Sequence, residues 1–329
     1  MNSAEVETTD QGPWTKDHGL VKPLSEVTRS TVHGLWSAVL SLITLTKPTI
    51  VLSFTLTGAA ALVMEGSLLA NPERFFMVTL AMLLTAASAN GLNQYLERDL
   101  DAQMERTRKR RPLPQGKIHP NMALGFSLLL GVLAVAILGI WFNLLSVWLA
   151  FGTIAFYIFC YTLWLKPRTH YNIVIGGAAG ATAPLIAWAA ATGHLSAAAW
   201  ILFLIIFTWT PPHFWALALC VKDQYAKAGI PMMPVTKGLE RTRQEILWYC
   251  ILLVPLSLSL YPLDLAGLFY FAGAFILGML LLGLAFKLKA QRTQRAAFSL
   301  FRYSILYLML LFILLMIDSK VILENKFIT

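Results

Sequence analysis

Apolar runs of membrane-crossing length recur along nearly the whole chain, and they restrict the fold more than any other feature. They fall at 42–64, 75–98, 120–140, 144–165, 172–192, 197–221, 244–263, 267–287 and 299–317. Each supplies roughly the twenty residues a helix needs to cross the hydrocarbon core. Unpaired backbone amides and carbonyls are too costly in lipid for other arrangements, so the runs must be helices. The expected fold is all-α: a polytopic membrane protein with nine transmembrane helices bundled around a central cavity. Only 13% of residues are charged, against about 25% in soluble proteins, so no soluble class fits. The fifth run is rich in Gly and Ala from Gly176 to Ala181, which lets helices approach closely.

The net charge of +9 would suit a nucleic-acid partner, but its distribution excludes that class. The 26 Lys and Arg gather in the N-terminal segment and in the loops after the second, fourth, sixth and eighth runs. Only Arg74, Lys320 and Lys326 fall on the other side. That asymmetry predicts a cytoplasmic N-terminus and an outward C-terminus. The expected organisation is a cytoplasmic segment over 1–40, a transmembrane domain over 41–318 and a periplasmic tail over 319–329. The first residues are polar and contain acids, with neither a signal peptide's apolar core nor a transit peptide's Arg-rich pattern. A multi-pass protein of a bacterial inner membrane is the expectation. Cys160, Cys220 and Cys250 lie within apolar runs without a CxxC pair, so they read as core residues.

Two loops on the expected cytoplasmic side carry chemistry. Asn93, Glu97 and Asp101 follow the second run at i, i+4 and i+8, which places them on one helical face. Like charges four residues apart repel, and a cation between them removes that cost. Oxygen ligands at this density suit Mg2+, which completes its shell with substrate phosphates. The bases that follow, Arg106 and Arg110 among them, can donate to diphosphate oxygens. The second loop, from Lys222 to Gly238, has one carboxylate, Asp223, flanked by Lys222, Tyr225 and Lys227. Two acidic loops on one side could hold a metal–diphosphate complex between them. The sixth run contains Pro211 and Pro212, expected to break or kink its helix and bring His213 into the bundle. His194 and the remaining histidines lie in polar segments and carry no such signal. Trp and Tyr near the run ends, such as Trp141 and Tyr261, read as an interfacial belt.

The pattern Asn93, Glu97, Asp101, Met104, Arg106, Thr107 resembles the first motif of the UbiA-type intramembrane polyprenyltransferases. Three further runs, from Asn172, from Thr210 and from Tyr225, resemble the protohaem IX farnesyltransferase branch of that superfamily. With the span layout, the resemblance covers nearly everything after residue 40. The chain departs from the pattern at three places. Thr49 follows Pro48 where a basic residue is usual, Lys227 replaces the second acid of a DxxxD pair, and Gln224 precedes Tyr225.

The resemblance implies transfer of a farnesyl group from farnesyl diphosphate to a vinyl group of haem B, giving haem O, with Mg2+ as cofactor. It implies Glu97, Asp101 and Asp223 as metal ligands assisted by Asn93. Diphosphate contacts would come from Arg106, Arg110, Lys166, Lys222 and Lys227, and a haem contact from His213. Haem A synthase or a terminal oxidase would be assembly partners in the same bilayer. Two other readings compete: a prenyltransferase for another aromatic acceptor such as a quinone precursor, and a non-catalytic haem-handling membrane protein. Transporters often show paired broken half-helices, and only the sixth run here is interrupted in that way.

Overall fold

A computed structural model describes residues 36–328 of the chain, with side chains through Ser319. The segment expected over 1–40 lies outside the described residues up to Leu35. The chain divides into two units, Met1–Val39 and Leu40–Thr329.

A first helix, α1 (Trp36–Leu45), is followed by α2 (Pro48–Glu65). The break between them falls inside the run expected at 42–64. Its cause is local: Pro48 disfavours the α conformation for the residue before it and suits the first position of a new helix. Lys47 takes the left-handed conformation, φ 57°. Next come α3 (Pro72–Leu96), two short helices α4 (Arg98–Gln103) and α5 (Glu105–Arg108), and α6 (Pro120–Trp141). α7 (Leu144–Ala155) continues into a π-helix over Phe156–Leu165. α8 (Asn172–Ala181) and α9 (Ala183–Thr192) form one span interrupted at Thr182, just before Ala183 and Pro184. α10 (Ala197–Cys220) is followed by the short α11 (Lys222–Lys227) and α12 (Met233–Thr236). Then come α13 (Gly238–Leu258), α14 (Leu268–Gln291) and α15 (Gln294–Ile328).

Among the described residues, eight helical segments are long and apolar enough to cross a membrane. The seventh expected span, 244–263, corresponds to α13, whose first turns carry Glu240, Arg241, Arg243 and Glu245. Its apolar part is correspondingly short. α13 nevertheless packs between α10 and α14.

The helices close into a ring. α2 packs on α3, α3 on α6, α6 on α7, and the π-helix on α8. α8 packs on α10, and α10, α13, α14 and α15 follow in turn, with α15 returning to α2. Close approach of α3 and α6 requires Gly91, since a Cβ there would lie 2.1 Å from the Ser127 hydroxyl. The outer surface is apolar: Ile140, Leu144, Trp148, Phe159 and Leu268 are all largely exposed. An exposed apolar girdle on a ring of long helices is what a lipid-facing surface requires.

The expected break at Pro211 and Pro212 does not occur. α10 runs through both as one helix. Each proline removes one i→i−4 bond, which frees the carbonyls of Phe207 and Thr208 without ending the helix.

Candidate active site at one end of the bundle

The carboxylate file forms where α3 ends. Glu97 caps α3, yet the i→i+4 ladder passes through it: Glu97 N–H donates to Asn93 O (3.0 Å) and Asp101 N–H to Glu97 O (2.8 Å). The helical register is therefore kept, and Asn93, Glu97 and Asp101 share a face. All three are buried, at 2%, 5% and 2% exposure. Buried carboxylates demand compensation, and three cations supply it. Lys47 Nζ donates to Asn93 Oδ1 (2.8 Å). Lys166, at the end of the π-helix, pairs with Glu97. Arg111 Nη1 pairs with Asp101 and lies 3.5 Å from Glu97 Oε2.

The scaffold behind these contacts is specific. Asn93 Nδ2 donates to Thr162 Oγ1 (3.1 Å), and Thr162 Oγ1 donates to Tyr157 O (2.8 Å). Gln94 Nε2 donates to Leu45 O (2.6 Å), tying the end of α1 to α3. Thr107 Oγ1 donates to Asp101 O (2.7 Å), which folds α5 back on α4 and brings Arg111 round to the carboxylates. Burial pushes the Asp101 carboxyl up from its ordinary value, and the charge of Glu97 adds to that push; Arg111 opposes both.

Below the charged cluster lies an apolar cavity of about 260 Å3 between α2, the π-helix, α8, α10 and α15. Tyr157 and Tyr161 line it as a stacked pair, 5.2 Å between centroids. Tyr161 can sit there only because residue 176 is Gly, where a Cβ would lie 2.1 Å from its ring. The cavity therefore adjoins the acidic file through the π-helix, which carries Tyr157, Thr162 and, at its end, Lys166.

His213 lines the same cavity. Its ring lies between Trp209 (4.3 Å) and Phe301 (4.8 Å), and Nδ1 is 2.7 Å from Ser304 Oγ. Ser304 donates its one hydroxyl hydrogen to Phe301 O (2.7 Å). The Nδ1 of His213 is thereby the donor, and Nε2 keeps its lone pair.

The structure thus brings together Asn93, Glu97, Asp101 and Lys166. It does not bring Asp223 to them, contrary to the expectation of a third acidic ligand. Asp223 is exposed in the first turn of α11, while Tyr225, two positions on, is buried. Positions two apart on a helix point roughly oppositely, so burial of Tyr225 turns Asp223 outward. With Lys222 it lines a separate polar cavity of about 250 Å3 alongside Arg243 and Arg292. Among the described residues, no three His, Cys, Asp or Glu stand close enough together to hold a metal ion. Arg110 and Lys227 are exposed. The Arg106 backbone N–H donates to Gln224 Oε1 (3.2 Å), which ties α5 to α11.

Sequence reasoning missed Lys47, and it counted Arg111 only as one of the bases after Asp101 able to donate to diphosphate. Lys47 is placed by the Pro48 break, a signal present in the sequence. Arg111 is one of several adjacent bases, and only the fold-back of α5 selects it.

The donor set itself fits a hard divalent cation. Glu97 Oε2 is buried without a hydrogen-bond partner, and two carboxylates with an amide oxygen leave positions for phosphate oxygens and water, as Mg2+ favours.

Comparison with known proteins places the chain in a defined context. The UbiA prenyltransferase family matches residues 51–314. The chain is 47% identical over 297 residues to a protoheme IX farnesyltransferase of Gloeobacter violaceus, covering 90% of this chain and 97% of that protein. It is 46% identical over 289 residues to one of Picosynechococcus, covering 87% and 91%. Among solved structures, it resembles digeranylgeranylglyceryl phosphate synthase (TM-score 0.71, 18% identity, 86% and 98% covered). It also resembles a UbiA homologue from Archaeoglobus fulgidus bound to GPP and Mg2+ (TM-score 0.59, 15% identity, 84% and 99% covered). At those identities the two structures speak to the fold.

Proposed function

The chain belongs to the UbiA prenyltransferase family, and on that premise we propose that it makes haem O from haem B and farnesyl diphosphate. The allylic C–O bond breaks and diphosphate leaves. The farnesyl carbon bonds to the haem vinyl group, and water adds to the other vinyl carbon with loss of a proton. The observation that carries this reading is the 47% identity to a protoheme IX farnesyltransferase along nearly the full length of both chains. The site supports it, because buried carboxylates and cations border an apolar cavity able to take a prenyl chain.

Mg2+ would be held by Glu97 and Asp101 with Asn93 beside them; when bound, it would neutralise charge developing on the departing diphosphate. Lys166 and Arg106 are proposed to donate to diphosphate oxygens, with Arg110 and Lys227 reaching it from the exposed rim. Asp223 and Lys222 take no part in this clamp as they stand. The apolar walls keep bulk water from the allylic cation, and the faces of Tyr157 and Tyr161 can stabilise its charge. His213 Nε2 is the proposed contact for haem iron, its ring oriented by Ser304 as ligating histidines usually are by a second partner.

In the proposed membrane arrangement, α13 is the seventh of nine spans and the charged end faces the cytoplasm of a bacterial cell. The N-terminal 40 residues lie on that side, residues 41–318 form the catalytic domain, and the chain ends in the periplasm. Haem A synthase or a terminal oxidase would receive the product.

Mass analysis of haems extracted from cells lacking and then regaining this chain tests the reading. Haem O should disappear and return. Unchanged haem O in its absence would reject the assignment.

A further inference from the structure

The two carboxylates of the clamp are already neutralised from within. Arg111 Nη1 is a single nitrogen that touches both, paired with Asp101 Oδ2 and 3.5 Å from Glu97 Oε2. A divalent ion held by these carboxylates would compete with Arg111 for their oxygens. Lys166 holds the other oxygen of Glu97, and Lys47 holds the Asn93 amide oxygen. Two carboxylates are therefore each paired with a cation in a cluster largely shielded from water. A bare divalent ion entering here would meet Arg111 and Lys166 already paired with both carboxylates, at distances where Coulomb energies in a partly buried site are several times those in water. A diphosphate brings several negative charges and offers both cations other partners.

We propose that Arg111 and Lys166 are exchangeable counter-ions: they pair with the carboxylates of Glu97 and Asp101, which a divalent ion would also use, and pass to the diphosphate as metal and diphosphate are taken up. Metal and diphosphate are then taken up as a unit, and neither binds well alone. Arg111 can make the exchange by side-chain rotation, since its backbone N–H is anchored to Thr107 O (2.8 Å). Glu97 Oε2, buried without a hydrogen-bond partner, is the atom that gains a ligand when it does so. The inference rests on the proposed metal–diphosphate clamp and is independent of the acceptor.

The test uses the full-length protein in detergent, with Mn2+ as the probe, read by the paramagnetic resonance signal of free Mn2+ at pH 8. Inorganic diphosphate is present or absent, with a protein-free diphosphate titration subtracted. In the wild-type protein, diphosphate should tighten Mn2+ binding by about tenfold or more. Arg111→Gln should bind Mn2+ about tenfold more tightly than wild type without diphosphate, and should lose most of the diphosphate-induced gain. Arg111→Lys, which keeps the charge, should stay near wild type. If Arg111→Gln does not fold, Lys166→Gln should shift metal binding in the same direction.

Unchanged or weaker Mn2+ binding in a folded Arg111→Gln or Lys166→Gln protein would overturn the exchange. So would wild-type binding equally tight with and without diphosphate. An absence of Mn2+ binding under every condition would overturn the exchange and the clamp together. Intact exchange without any haem product would leave it standing and reject only the acceptor.

Discussion

At the residue scale, everything turns on three side chains kept in helical register across a helix end. Asp101→Asn keeps the shape and removes one ligand charge. Prenyl transfer should fall by about a hundredfold or more, the range seen when a transition-state electrostatic partner is lost. Its thermal unfolding should stay close to wild type; near-normal turnover would contradict the clamp. His213→Ala should weaken haem binding by about tenfold, or roughly 1.4 kcal/mol. Farnesyl diphosphate affinity should barely change, and titration of each ligand separately checks the split. The file of Asn93, Glu97 and Asp101 was legible because spacing alone sets a helical face. Its counter-ions were only partly so. Lys166 was named from its loop, whereas Arg111 depends on the Thr107 fold-back and Lys47 on a left-handed backbone. Asp223 was misplaced for a related reason: it is the one carboxylate of its loop, but the buried Tyr225 decides which way the helix turns.

At the element scale, irregular helices position the chemistry. The π-helix gives Lys166 an i→i+5 bond to Tyr161 O (2.9 Å), and such wide turns are common at functional sites. Nothing in the run FYIFCYTLWL announces one, since apolar periodicity looks the same. The prolines of α10 do not interrupt it. Tertiary packing within the bundle keeps the helix continuous, which membrane helices tolerate when freed carbonyls find neighbours. The α3–α6 contact is the plainest element-level test. Gly91→Val places a branched side chain where even a Cβ has no room. It should cost about 1–3 kcal/mol, the usual range for overpacking. Thermal unfolding in detergent measures this, and an unchanged midpoint would mean the helices do not meet as described.

At the scale of the whole molecule, the succession of apolar runs fixed the class of fold before any site was considered. The count was harder to read, because α13 begins with four charged residues in its first turns and so reads as part loop, part span. Its packing between α10 and α14 is a tertiary fact. The proposed orientation has its own check. Single cysteines introduced at Arg110 and at His194, in a background lacking Cys160, Cys220 and Cys250, should label from opposite faces of sealed inverted vesicles. Labelling from the same face would reject the arrangement.

The most direct measurement combines fold, clamp and acceptor. Purified protein is supplied with farnesyl diphosphate and haem B, with Mg2+ or with a chelator, and the haem products are weighed by mass spectrometry. Haem O should accumulate with Mg2+ and vanish with chelator, and 4-hydroxybenzoate offered instead of haem should remain unmodified. Prenylated hydroxybenzoate without haem O, or haem O formed equally well under chelation, would contradict the account.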